Sequence, residues 1–317
     1  MLDNLIFSLN ATMPIFLMMV LGYILREIGW LKEPTIGVIN KLVFKVFLPA
    51  LLFTDLVDQD FENIWDGSFV LFCLVVTIIS IFIALLISLC NKNKDDRGEM
   101  IQAAYRSAAA TLGIAYMTNI YDNAAMVSLM IIGSVPLYNI VAVLVLTITS
   151  PDNKNAKSKK EVVKRSAINT AKNPIILGIV VGLVWAVFKL PQPQIMMKTV
   201  GYLGNVASPL ALIGLGASFY FKDMREKLVP VLSVVGCKLL LLCAIFLPAA
   251  IWMGFRDEKL VAALIMLGSA TTSSSFVMAK NMGHEGKITS SAVMLSTLLA
   301  SFTLTLWLFI LKSMGYI

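Results

Sequence analysis

Apolar runs and short polar stretches alternate along the whole chain, and the runs are of one size. They fall at approximately 5–25, 36–56, 68–90, 100–121, 124–149, 173–190, 199–221, 229–254, 258–280 and 288–312. Each is about 18–26 residues long, enough as a helix to cross a bilayer core of roughly 30 Å. Membrane strands would instead give shorter segments of alternating character. The pattern predicts an all-α polytopic membrane protein with ten transmembrane helices.

Composition excludes the other classes. Of 317 residues, 58% are hydrophobic and 14% charged, against about 45–50% and 25% in soluble domains. A soluble globule of this length would lack a charged surface. The opening MLDNLIFSLN has no basic stretch and carries Asp3, so it is not expected to be a secretory signal.

Basic residues then orient the chain. With the N-terminus outside, 17 of the 26 Lys and Arg fall in cytoplasmic segments and 5 in outer ones, the other four lying within spans or at their edges. Seven of the 17 lie between 154 and 172. The loop 55–66 carries five acids and no base and belongs outside. A cytoplasmic-membrane protein with a cytoplasmic central loop is expected. The net charge of +7 then belongs to loops beside anionic lipid, not to a nucleic-acid partner. Cys73, Cys90, Cys237 and Cys243 sit in or beside apolar runs without CxxC spacing, which suggests neither a metal nor a disulfide framework.

The two ends of the chain repeat each other. PIFLMMVLG from Pro14 and PIILGIVVG from Pro174 match at Pro14/Pro174, Ile15/Ile175, Leu17/Leu177, Val20/Val180 and Gly22/Gly182. The same offset of 160 aligns VFLPALL (46–52) with VASPLAL (206–212). Five spans per repeat is an odd number, so the second repeat enters the membrane from the other side, as in inverted-repeat transporters. The expected organisation is 1–150 as the first five-helix repeat, 151–172 as a polar cytoplasmic linker and 173–317 as the second, inverted repeat.

Within this frame, TTSSS (271–275) interrupts the ninth span. The fourth span, MIQAAYRSAAATLGIAYMTNIY, is likewise rich in Ala, Ser, Thr and Gly. Both hold the fourth place of their repeat, where transporters of this kind break helices around a midplane site. Breaks are expected near Leu112–Ala115 and Ala270–Ser273, with half-helix N-termini offering N–H groups to an anion. A single hydroxyl in a helix bonds a carbonyl one turn back, but that accounts for only part of a run of five. The candidate site residues are Arg106 and Lys238 for charge, Thr111 and Gly113 in the fourth span, and Thr271, Thr272, Ser273 and Ser274 in the ninth. Charges at bilayer depth cost about 2.5–3.5 kcal/mol each on insertion scales and so point to function, although Arg106 lies near enough to an end to snorkel.

These residues resemble the auxin efflux carrier family, which includes plant auxin exporters and bacterial organic-acid permeases. The resemblance covers essentially the whole chain. It rests on the span around Leu42–Phe53, VPLYNIVAVLVL (135–146), KNPIILGIVVGLV (172–184), LGNVASPLALIGLGASF (203–219) and STLLASFTL (296–304). It implies a scaffold of spans 1, 2, 6 and 7 and a transport domain whose broken fourth and ninth spans cross, moving as an elevator. It adds Asn139 of VPLYNI as a polar site candidate and implies dimers through scaffold helices. Family members commonly carry a proline at each crossover, and here the matching residues are Ala115 and Ala270; an Asn after the YRS-like stretch is Ala108.

The expected function is secondary-active transport of small organic anions, mono- or dicarboxylates such as malate or auxin-like acids, with no cofactor and with H⁺ or Na⁺ as possible coupling ion. The alternatives are a sodium-coupled carrier of another solute on the same fold, or a non-transporting membrane sensor. An enzyme is not expected: the one histidine, His284, falls in a predicted loop, and no GxGD, HExxH or P-loop pattern occurs.

Overall fold

The structure, a computed structural model, describes residues 2–57, 66–121, 125–151, 168 and 170–317. The predicted linker 151–172 and acidic loop 55–66 fall largely outside these residues. Among the described residues all regular structure is helical. In chain order the helices are α1 (Leu2–Glu27), α2 (Glu33–Val57), α3 (Gly67–Leu89), the pair α4a (Arg97–Tyr105) and α4b (Ala109–Tyr121), and α5 (Ala125–Ile148). They continue with α6 (Pro174–Val187), α7 (Gln194–Ala217), α8 (Leu228–Trp252), the pair α9a (Asp257–Gly268) and α9b (Ser274–Asn281), and α10 (Lys287–Ser313). Six of these, α2, α3, α5, α7, α8 and α10, are long and apolar enough to cross a membrane.

Local chemistry sets the helix ends. Asp66 starts α3 by accepting the N–H groups of Ser68 (3.0 Å) and Phe69 (3.1 Å), and it pairs with Lys259 at the start of α9a. Asn173 caps α6 through Ile175 N–H at 2.9 Å, with Pro174 in the first turn, where its missing N–H costs nothing. Glu99 of α4a is buried, and its carboxylate accepts from Gly286 N–H (2.7 Å), Ile288 N–H (3.1 Å) and Thr289 N–H and Oγ1 (3.0 Å each). It thereby caps α10 from the far side of the sequence.

Lys259 beside Asp66, with help from the Ser68 hydroxyl, holds the Asp66 carboxyl well below the usual carboxylate range. A depressed folded-state value means the stabilisation is complete above the unfolded value of about 3.9 and is lost as pH falls through the folded one. Asp66→Ala is therefore expected to cost about 1 kcal/mol at neutral pH. The gap in melting temperature from the parent should begin to close only below about pH 4. A gap unchanged down to about pH 2 would contradict the assignment.

Packing divides the helices by contact. α1 lies along α7, α2 along α6 and α7, while α3 packs on α4a and α5, and α8 on α9a and α10; α1 also packs along α10 and joins the two sets. The first set approaches closely through glycine. A Cβ on Gly22 would overlap the Ile213 carbonyl, and one on Gly216 the Met19 carbonyl. A Cβ on Gly178 would lie 2.7 Å from Pro49 O, and one on Gly182 would lie 3.2 Å from Phe53 Cα. The contacts Gly22–Ile213 and Gly182–Phe53 are the same pair with both partners shifted by the 160 residues of the sequence repeat. The outward faces are apolar, as at Leu71, Ile78 and Phe82 on α3, whereas α4a and α9a are buried through most of their length.

Candidate functional site

The site grows from the two interrupted helices. α4a ends at Tyr105, Arg106 turns extended (φ −72°, ψ 142°), and α4b begins at Ala109. α9a ends at Gly268, Ser269 turns extended (φ −74°, ψ 162°), and α9b begins at Ser274. The second break falls where the sequence predicts it. The first does not: the expected Leu112–Ala115 lies inside continuous α4b, and the break is at Arg106–Ala108.

The breaks cross and bond each other. Ala108 N–H donates to Ala270 O at 2.9 Å. Ser107 Oγ and Ser269 Oγ are hydrogen-bonded. Gln102 Nε2 donates to Ser275 O at 2.9 Å, and Thr271 Oγ1 to Ala103 O at 2.9 Å. The Thr271 hydroxyl thus replaces an intrahelical N–H for a carbonyl that the break in the other helix leaves open. Thr271 N–H donates in turn to Ser296 Oγ of α10 at 3.0 Å.

Arg106 is 2% exposed. Its guanidinium donates to Asn139 Oδ1 (2.8 Å), Ser274 Oγ (2.7 Å) and Gln102 Oε1 (3.3 Å), and Nη1 lies 2.7 Å from Met278 Sδ. Asn139 is held for this by its own Nδ2 donating to Val135 O at 2.9 Å on α5. Arg106 forms no ion pair among the described residues, and its buried Nε has no hydrogen-bond partner. The N–H groups of Ala109 and Ala110 at the start of α4b, and of Ser273 and Ser274 at the start of α9b, likewise have no acceptor among the described residues. A buried cation and two positive half-helix ends therefore meet at one point, and among the described residues no anionic side chain is bonded to them there.

That point is the floor of a cavity of about 710 Å³. Arg106, Ser107, Ala108, Asn139, Thr272, Ser273 and Ser274 line its polar end. Apolar residues of α2, α4b, α5 and α6, such as Leu48, Leu52, Ile114, Val135 and Ile175, line its body. It extends past Asn205 and Ser208 of α7 to Asp55 and Met197, near the ends of α2 and α7. Arg106 is the one basic residue in this wall among the described residues.

Arg106, Asn139, Thr272, Ser273 and Ser274 are thus brought together. Thr271 joins them as a staple between the broken helices. Gly113 is a correction: it is buried in α4b against α5, where a Cβ would meet Val127 Cγ1 at 3.0 Å. The backbone of Thr111 belongs to α4b, and its side chain lies outside the described residues. Lys238 is a second correction. It is wholly buried, but its ammonium donates to Met266 O (3.0 Å) and Leu267 O (2.8 Å) at the end of α9a, and it does not line the cavity. Sequence reasoning passed over Ser107, Gln102 and Asp55. Ser107 and Gln102 flank Arg106 closely enough to be noticed, and Asp55 is hidden among the acids of its loop.

Comparison with known proteins decides the class. The family profile described as "Membrane transport protein" matches residues 7–308. The chain belongs to the membrane transport protein family. That match bears out the resemblance to auxin efflux carriers. An "Uncharacterized transporter" of Methanothermobacter thermautotrophicus is 23% identical over 306 residues, spanning 95% of this chain and 97% of that protein. A "Putative malonate transporter" of Rhizobium meliloti is 23% identical over 313 residues, spanning 96% of each. The transporter is a membrane protein with a small-molecule substrate, and both relatives are named as transporters.

Proposed function

We propose that this transporter carries small organic anions, mono- or dicarboxylates, across the cytoplasmic membrane by alternating access. The observation that carries the proposal is Arg106: a buried guanidinium without an ionic partner, in the cavity wall, beside two half-helix N-termini. A carboxylate there would accept charge-assisted bonds from the guanidinium and from free N–H groups, replacing the water that both lose on burial. The name of the Rhizobium meliloti relative points the same way.

The ten helices form two inverted five-helix repeats on this account, a reading that the shared Pro and Gly positions and the Gly22–Ile213 and Gly182–Phe53 contacts support. α1, α2, α6 and α7 are the scaffold. The crossed helices with α3, α5, α8 and α10 are the moving domain, and dimers form through the scaffold. The basic loops put the N-terminus outside, so the cavity, reaching toward Asp55 and Met197, faces outward. At the opposite end Asn281 Nδ2 of α9b donates to Asn40 O of α2 at 3.1 Å, a link between the moving domain and the scaffold on the cytoplasmic side.

Uptake of labelled malate, malonate, lactate and indole-3-acetate into proteoliposomes, under imposed pH and Na⁺ gradients, tests the proposal. Saturable uptake of one acid is expected, reduced about tenfold or more in Thr272→Ala/Ser273→Ala as two hydroxyls leave the wall. The effective gradient names the coupling ion. Folded protein that takes up none of the acids under either gradient would overturn the reading.

A further inference from the structure

Lys238 is the largest buried charge that the anion site does not use, and its surroundings are built for it. It sits in α8 within a π turn, Cys237–Leu241, a one-residue widening of a kind frequent at functional sites. α10 closes the far side, where Trp307 Nε1 donates to Leu239 O at 3.1 Å. Among the described residues no acidic side chain pairs with Lys238.

What it serves is a broken helix. Ending α9a at Gly268 leaves its last carbonyls without intrahelical donors. Ile265 O receives Ser269 N–H at 3.1 Å and Ser107 Oγ at 3.4 Å. Among the described residues Met266 O and Leu267 O receive only the Lys238 ammonium, at 3.0 and 2.8 Å. A helix C-terminus also carries roughly half a negative charge, and this one is followed, after Ser269 and Ala270, by Thr271–Ser274. An anion at the crossover would be repelled by that end unless a cation stood on it. The other broken helix ends differently: Gln102 O takes Arg106 N–H (3.1 Å) and Ala103 O takes Thr271 Oγ1, while the Arg106 guanidinium reaches Gln102 Oε1, Asn139 and Ser274. Among the described residues, the end of α9a is the half-helix C-terminus at the crossover whose open carbonyls are taken by a cationic side chain.

We propose that Lys238 is a positioning residue of the anion site, holding the end of α9a in place and cancelling its negative pole toward an anion at the crossover. This rests on the organic-anion reading of the same site. The test compares Lys238→Met, Lys238→Gln and Lys238→Arg in proteoliposome uptake, with malonate as the first probe and the wider acid panel after it. Hydrogen–deuterium exchange over residues 268–275 is measured on the same preparations.

Lys238→Met is expected to raise KM about tenfold with a smaller change in maximal rate, and to speed exchange over 268–275. Lys238→Arg should restore both to within about threefold of the parent, because its guanidinium can reach the same carbonyls with the same charge. If the Met variant does not fold, Lys238→Gln, which keeps a donor without the charge, should show the rise in KM with near-parental exchange. Parental KM in the neutral variants, or equal impairment of the Met and Arg variants, would overturn the proposal. Failure of the parent protein to carry any acid would defeat the anion reading separately. Exchange then decides: faster in Met and restored in Arg upholds the positioning of α9a, and unchanged exchange overturns it.

Discussion

Arg106→Gln is expected to reduce uptake of the transported acid by about 100-fold or more while leaving the protein at least as stable as its parent. The transport loss follows from removing one partner of a buried charge pair, which typically costs 2–5 kcal/mol, with each 1.4 kcal/mol worth a factor of ten. The stability side runs the other way. In the substrate-free protein the guanidinium is buried among Asn139, Ser274, Gln102 and Met278 with no anion beside it. Neutral replacement of a desolvated, unpaired cation relieves that penalty. Lost transport with a preserved or raised melting temperature separates a binding role from a structural one. Arg106→Lys should fall between, because an ammonium keeps the charge but cannot serve its neighbours and a carboxylate in one planar fork. Parental uptake in Arg106→Gln would remove the basis of the proposed site.

The second large effect concerns folding. Gly216→Ala is expected to abolish or severely reduce folded protein, because the new Cβ would overlap the Met19 carbonyl, which is backbone and cannot turn aside. α1 and α7 would have to separate along their contact, and close approach through small residues is what holds membrane helices together. Gly236→Ala is the control. It lies in α8, where a Cβ meets nothing within 4 Å, so the change should be neutral or stabilising by up to about 1 kcal/mol. Yield and melting temperature in detergent, compared between the two variants, read the difference. Equal yields would contradict the close crossing.

The crossing was half legible in the sequence. The repeat at offset 160 rests on residues that the packing uses: Gly22 and Gly182 sit at matching contacts with Ile213 and Phe53. Hydrophobic run lengths likewise located the helices. The first helix break was not legible. Gly113 suggested one, but a glycine costs a helix only about 1 kcal/mol, and here its missing side chain lets Val127 of α5 close in. The break occurs at Arg106–Ala108, where Ala270, Thr271 and Ser269 supply the partners that the helix gives up. Those bonds join positions more than 150 residues apart, which no local pattern records.

Facing was the second limit. Arg106 and Lys238 are both buried cations in apolar spans, and hydropathy ranks them alike. Only the neighbours separate them: one meets a cavity wall and the other the end of a helix. Glu99 escaped notice for the opposite reason. It follows the polar stretch NKNKDDRG and looks like a loop acid, yet it is buried as the cap of α10. Buried charges in this fold either cap a broken or starting helix, as Lys238 and Glu99 do, or line the cavity, as Arg106 does, and the sequence does not say which.

The most direct test of the account is an experimental structure of the transporter with the acid it carries. The account predicts the carboxylate within about 3 Å of the Arg106 guanidinium, beside Ser273 and Ser274 at the start of α9b, with its body toward Leu48, Leu52 and Val135. A carboxylate bound elsewhere, for instance between Lys41 and Lys280, with the Arg106 bonds to Asn139 and Ser274 unchanged, would contradict it.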